Sequence, residues 1–87
     1  MTLSPADLLA RVTQELAAVL GGAATDIKPE TPIANIGRWD SMNHVRMLLQ
    51  LEKVFAVTFS GMEAASIETV GELTDVIEAK IARGQEP

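Results

Sequence analysis

Three stretches of this 87-residue sequence carry apolar residues at helical spacing, and this periodicity restricts the possible folds more than any other feature. A chain of this length usually buries about 60% of its unfolded surface, which leaves room for one modest core and excludes a second domain. We therefore expect a single all-α domain over residues 1–87, with an ordered bundle over about residues 4–83. The last four residues, Gly84–Pro87, are expected to fray.

The segment LSPADLLARVTQELAAVLGG predicts the first helix. Ser4 can cap it and Pro5 suits the first helical position. The Asp7 carboxylate can accept a reciprocal hydrogen bond from the backbone N–H of Ser4. Gly21 and Gly22 end the helix. The predicted buried stripe consists of Leu9, Val12, Leu16 and either Val19 or Leu20.

Further helix signals follow along the chain. Asp40 can cap a second helix from Ser41 to Ala56, and Ser60 or Gly61 can begin one short helical turn before Ser66. Thr69 and Glu72 form a capping box for the last helix, whose predicted stripe is Val70, Leu73, Ile77 and Ile81. The sequence thus predicts a small four-helix bundle of three main helices and one short helix.

A long connection separates the first two helices. Between Ala23 and Asp40, Pro29, Pro32 and Gly37 prevent a long regular element. Loops of this length in small domains usually have a function or their own anchors, and the expected anchors are Ile27, Ile33 and Ile36.

Composition excludes several classes of function. The sequence has no cysteine, so the chain forms no disulfide and supplies no thiol nucleophile, and it shows no cluster of metal ligands. The net charge is −5 and the seven basic residues are scattered, which argues against nucleic-acid binding. Because no basic N-terminal run and no apolar stretch of about 18 residues are present, we expect a cytoplasmic protein without a membrane span.

The second helix has more apolar surface than one core can cover. At roughly 100° per residue, one arc of about 120° faces the core and contains Met47, Leu48, Leu51, Val54 and Phe55, with His44 near its start. A second arc of about 60° contains Met42, Val45, Leu49 and Ala56. This second arc is interpreted as a docking strip for partner proteins; the alternative is that the long loop covers it.

Ser41 lies at the first turn of that helix, where free backbone N–H groups and the helix dipole favour an anionic substituent. A catalytic serine needs a base, yet the one histidine, His44, is three residues along the same helix with its ring directed toward the core. No glycine-rich nucleophile elbow surrounds Ser41 either. We therefore do not expect an enzyme.

The segment WDSMNHVRMLLQLEKVFAVTF, with DIKPETPIANIG before it and SIETVGELTDVI after it, resembles the acyl carrier protein family of phosphopantetheine-binding domains. The resemblance covers nearly the whole chain. It implies that Ser41 carries a covalent phosphopantetheine arm, with Asp40 and Met42 as the signature neighbours. Thioester-linked acyl or aminoacyl groups would be held on this arm, which fits a chain without cysteine.

The resemblance also implies partners: a phosphopantetheinyl transferase, an acyl- or aminoacyl-loading ligase, and a downstream acyltransferase, synthase or tailoring enzyme.

Two features depart from the family pattern. Met42 stands where leucine is usual, and the second helix carries Arg46 and Lys53 against Glu52 alone, whereas many members have an acidic helix here. We therefore expect apolar docking through Met42, Val45 and Leu49, with little steering by charge.

The sequence interpretation is thus a monomeric, stand-alone carrier protein of a polyketide, nonribosomal-peptide or other specialised biosynthetic pathway. The alternative is an unmodified helical interaction module that uses the Met42, Val45 and Leu49 surface. Arg46 and Trp39 are further candidates for partner contact.

Three residues near Ser41 keep two interpretations each. Trp39 either anchors the loop to the bundle or contacts the arm or a partner. Arg38 either pairs with the phosphate of the arm or is simply solvated. His44 either packs or hydrogen-bonds within the bundle, or lies where a tethered acyl chain enters it.

Overall fold

The computed structural model describes residues 4–83, so the expectation for Gly84–Pro87 lies outside the described residues. Four α-helices follow one another: α1 (Pro5–Leu20), α2 (Ser41–Phe55), α3 (Gly61–Ser66) and α4 (Val70–Ala82). Two short 3-10 turns, Ala24–Asp26 and Ile33–Asn35, interrupt the long loop. No strand occurs within residues 4–83, which confirms the all-α bundle of three main helices and one short helix.

The helix ends follow the capping residues of the sequence. Ser4 accepts the backbone N–H of Asp7 at 3.1 Å, and Gly21 ends α1 with a φ of 86°. The expected return bond from the Asp7 carboxylate is not formed in the described part of the chain. α2 ends one residue earlier than expected, because Ala56 adopts the left-handed conformation with a φ of 55°.

α3 and α4 each begin with a complete capping box. Ser60 and Glu63 cap α3, whereas Thr69 and Glu72 cap α4, as the sequence predicted for the last helix. In both boxes the glutamate carboxylate accepts backbone N–H groups. For Glu72 these bonds lower the pKa of the carboxyl group, the N–H of Glu68 contributing most.

One aliphatic core joins the helices, with α1 packed against both α2 and α4. Its buried members are Leu8, Val12, Leu16, Leu20, Ile33, Ile36, Met47, Leu48, Leu51, Ile67, Val70, Leu73 and Ile77. On α1, Val12 and Leu16 are buried as predicted, and only the first member of the stripe differs: Leu8 is buried, whereas Leu9 is half-buried at the edge of the core. Of the two alternatives at the end of α1, Leu20 is buried and Val19 packs only partly.

The last turn of α4 differs from the predicted stripe. Ile81 is exposed, whereas Lys80 is 6% exposed. The Lys80 ammonium lies 2.8 Å from the carboxylate of Glu63 on α3 and 6.0 Å from the ring centroid of Phe59. A long aliphatic stem and a paired charge let a lysine occupy this position between helices, which apolar periodicity alone does not predict.

The long loop is anchored at both sides of the bundle. Ile33 and Ile36 are buried and Ile27 packs partly against the core, as expected. Backbone bonds also tie the loop to the start of α4: Ile33 N–H donates to the Glu68 carbonyl at 2.9 Å, and Gly71 N–H donates to the Pro29 carbonyl at 2.8 Å. The loop therefore enters α2 from a fixed direction.

Candidate functional site

Ser41 is the first residue of α2, and its side chain is exposed. The preceding Asp40 caps the helix, its carboxylate accepting the N–H of Asn43 at 2.7 Å. Within residues 4–83 the Ser41 hydroxyl forms no hydrogen bond, and no acidic side chain lies in the first turn of α2. The hydroxyl is therefore open to solvent and to a visiting enzyme, at the helix end where backbone N–H groups favour a negative charge.

The backbone just before Ser41 is held against the end of α1. Arg38 N–H donates to the Leu20 carbonyl at 2.6 Å, and the Asn43 side-chain amide donates to the Arg38 carbonyl at 3.0 Å. Gly37, with a φ of 44°, makes this approach possible: a Cβ there would overlap the carbonyl oxygens of Leu20 and Gly21. The sequence marked Gly37 only as a helix breaker and gave no signal for the role of Asn43.

Trp39 and His44 form a pair beside Ser41. The indole N–H of Trp39 donates to Nδ1 of His44 at 3.1 Å, and the two rings meet edge to face with centroids 5.8 Å apart. Trp39 also packs partly against the core. These contacts favour the interpretation of Trp39 as an anchor of the loop and of His44 as its hydrogen-bond acceptor.

A groove of about 420 Å³ lies beside this pair. The long loop, the start of α2 and the segment between α3 and α4 form its walls, which are mainly apolar: Pro32, Ile33, Ala34, Trp39, His44, Ile67, Glu68 and Thr69. His44 therefore lines an apolar groove, and whether a tethered acyl chain enters there stays a prediction.

The narrow apolar arc of α2 is open. Met42 is 67% exposed, Val45 54% and Leu49 58%, and Ala56 is exposed at the far end. The alternative in which the long loop covers this arc is therefore wrong, because the loop packs across the α1 and α4 sides of the bundle instead. We call Met42, Val45, Leu49 and Ala56 the apolar strip.

The wide arc of α2 faces the core, as its angular position predicted. Met47, Leu48 and Leu51 are buried, with Leu51 at 0% exposure. Val54 and Phe55 are only half-buried, because the last turn of α2 reaches the edge of the bundle. The structure thus separates the two arcs into a core face and a solvent face.

The charged candidates around the site are exposed. Arg38 and Arg46 both face solvent, and the acidic residues Glu68, Glu72, Asp75 and Glu78 are also exposed. Among residues 4–83 no group of three or more His, Asp or Glu side chains could hold a metal ion. In the same part of the chain, no helix has the length and apolar character needed to cross a membrane.

Comparison with models of protein families matches residues 10–77 to the family described as "Phosphopantetheine attachment site". The match covers more than half of the chain. The chain belongs to this family.

Members of the phosphopantetheine attachment family carry a covalently attached phosphopantetheine prosthetic group. The membership supports a carrier role for this chain. Carrier domains are generally not catalytic themselves, and they generally interact with phosphopantetheinyl transferases and with synthase or ligase enzymes. The exposed hydroxyl of Ser41, at the N-terminus of α2, is compatible with such a group.

Proposed function

We propose that this chain is an acyl or aminoacyl carrier protein whose phosphopantetheine arm is attached to Ser41. The observation that carries the proposal is the exposed Ser41 hydroxyl, which forms no hydrogen bond within residues 4–83 and stands at the start of a 15-residue helix. When bound, the arm supplies a thiol for holding acyl groups as thioesters. The residues of this chain position the arm and bind the enzymes that act on it.

The first turn of α2 suits a phosphodiester on Ser41. Free N–H groups and the positive end of the helix dipole favour an anion there. The Asp40 carboxylate is bonded to the Asn43 N–H, so it fixes the helix start that presents Ser41. Arg38 is exposed two residues before Asp40 and is the candidate cation for the phosphate of the arm.

The apolar strip is the proposed docking surface for the partners. Met42, Val45 and Leu49 expose more than half of their side chains on the helix that begins with Ser41. A partner that covers the strip therefore lies within reach of the Ser41 hydroxyl. Arg46 follows Val45 on α2 and is exposed, and Trp39 is half-buried just before Asp40; both are proposed as secondary contacts.

We further propose that the partners belong to a specialised route, such as polyketide or nonribosomal-peptide biosynthesis. The support is the charge of α2, which has two basic residues against one acidic residue in a chain of net charge −5. The expected enzymes are a loading ligase and a downstream acyltransferase, synthase or tailoring enzyme. The monomeric, cytoplasmic and stand-alone state of the protein stays a prediction from the sequence.

Intact-mass measurement after incubation with coenzyme A and a panel of phosphopantetheinyl transferases tests the attachment. We expect a gain of one phosphopantetheine on the wild type, and none on Ser41→Ala. Ser66→Ala is the control, because Ser66 is also exposed, on α3, and its replacement should leave the gain unchanged. A gain that persists in Ser41→Ala would place the arm elsewhere.

The second candidate function is an interaction module without an arm, favoured by the exposure of the strip alone. It predicts no mass gain with any transferase of the panel. It also predicts that Ser41→Ala retains partner binding, whereas Leu49→Ala weakens it.

A further inference from the structure

One edge of the apolar strip carries two cations. At 100° per residue, Arg46 and Lys53 lie directly beside Met42 and Leu49 on the side of α2 that faces α1. They are seven residues apart, so roughly 10 Å separates them along the helix axis. Both side chains are exposed, and neither takes part in an ion pair within residues 4–83.

The acidic residues of this region already have partners. On α1, the Glu15 carboxylate pairs with Arg11 at 3.1 Å and accepts the side-chain amide of Gln50 on α2 at 3.1 Å. On the opposite edge of the strip, the Glu52 carboxylate accepts the N–H of Phe59 at 2.8 Å, so it bonds to the chain that follows α2. Asp40 likewise accepts the N–H of Asn43. Most of the negative charge lies in other elements: residues 57–79 contain five acids and no basic residue.

A groove lies next to Arg46, at the N-terminal end of the cationic edge. It has a volume of about 540 Å³ and lies between the end of α1 and the first two turns of α2. Arg38, Asn43 and Arg46 form its polar wall on the side of α2. A carboxylate entering from a docked protein would meet two guanidinium groups, which bind carboxylates through paired N–H donors.

We propose that the enzymes that act at Ser41 dock with an apolar patch bordered on one side by acidic side chains. The patch covers the apolar strip, and the acids face Arg46 and Lys53, with one carboxylate directed into the groove beside Arg38. This inference rests on the proposed carrier function and specifies the chemistry of its partners. Apolar contact supplies most of the affinity, and the charged edge sets the orientation of the partner and rejects enzymes whose docking surface is basic.

The test uses the transferase that modifies the wild-type chain most efficiently in the mass assay. Its KM and kcat are measured with the wild type, with Arg46→Gln/Lys53→Gln, and with Arg46→Glu/Lys53→Glu. The control is Lys28→Glu/Arg83→Glu. It changes the net charge by the same amount as the glutamate pair, on exposed residues outside α2. Circular dichroism and thermal melts confirm that each variant is folded.

We expect a graded rise in KM, about threefold for the glutamine pair and about tenfold for the glutamate pair, because exposed charge pairs are individually weak and reversal replaces attraction with repulsion. The control should change KM by less than about twofold, and kcat should stay nearly constant throughout. A KM that falls on charge reversal, or that responds equally to the control, overturns the acidic partner edge and leaves the carrier function intact. If no transferase modifies the wild type, the carrier function fails, and this inference fails with it.

Discussion

Leu49 and Leu51 lie two residues apart on α2 and differ completely in burial. Leu51 is 0% exposed within the core, whereas Leu49 is 58% exposed on the apolar strip. Replacing each with alanine makes the same chemical change at both positions. The pair therefore separates the contribution of α2 to folding from its contribution to docking.

Removal of a buried leucine side chain typically costs 2–5 kcal/mol of the free energy of unfolding, through lost transfer energy and the cavity left behind, so we expect about that cost for Leu51→Ala. For a domain of this size, 1 kcal/mol corresponds to a shift in Tm of about 4–8 °C. Leu51→Ala should thus lower the Tm by about 10 °C or more, a large part of the stability of a small domain. Leu49→Ala should change the free energy of unfolding by less than about 0.5 kcal/mol.

Urea unfolding followed by circular dichroism measures the free energy of unfolding of both variants. Transferase kinetics measures their effect on docking. Leu49→Ala should raise the KM about fivefold, as expected for a contact worth about 1 kcal/mol in the interface. A loss below about 1 kcal/mol for Leu51→Ala would show that the core and solvent faces of α2 are assigned the wrong way round, and an equal loss for both variants would contradict their separation into two faces.

Three further predictions concern the loop, the α3–α4 contact and salt. Gly37→Ala should destabilise the protein by about 1–3 kcal/mol in thermal unfolding, because its φ is positive and a Cβ would meet the carbonyls that end α1; Gly61→Ala, with open space around it, should be neutral or slightly stabilising. The Lys80 hydrogen bond, followed by the Ser60 N–H, lowers the pKa of Glu63, so this stabilisation is complete above the ordinary pKa of 4.5 and is lost as the pH falls through the folded-state value. Glu63→Gln keeps an acceptor for the Ser60 N–H and loses a solvent-screened charge, so it should destabilise by about 0.5–1 kcal/mol in urea unfolding at pH 7. The difference should be smaller at about pH 3, and an undiminished difference there would contradict the role of the carboxylate. Finally, transferase rates should fall less than tenfold between low and moderate salt, because apolar contact supplies most of the docking energy; a larger fall would show that charge dominates.

Several local features followed directly from residue chemistry. Asp40 caps α2 and Thr69 with Glu72 caps α4, as predicted, because these side chains satisfy N–H groups within three residues of themselves. The two arcs of α2 were also predicted, since helical geometry alone fixes the direction of each side chain. The prosthetic group of the family is confirmed, whereas its attachment to Ser41 stays a prediction.

Other features depended on distant parts of the chain. The burial of Lys80 requires Glu63 and Phe59 from around α3, and the choice of Leu8 over Leu9 depends on how α1 is rotated against its neighbours. The hydrogen bond between Trp39 and His44 likewise joins two residues whose separate sequence interpretations did not pair them.

The sequence by itself determined the helices, most of their caps and the position of Ser41 at the start of α2, because these depend on interactions within a few residues. Only the tertiary structure decided that the loop leaves the apolar strip uncovered and that Gly37 packs against the end of α1. The physical reason is that loop placement depends on contacts between segments far apart in the chain, such as those joining Pro29 to Gly71 and Arg38 to Leu20. Those contacts leave both Ser41 and the surface beside it open to a partner.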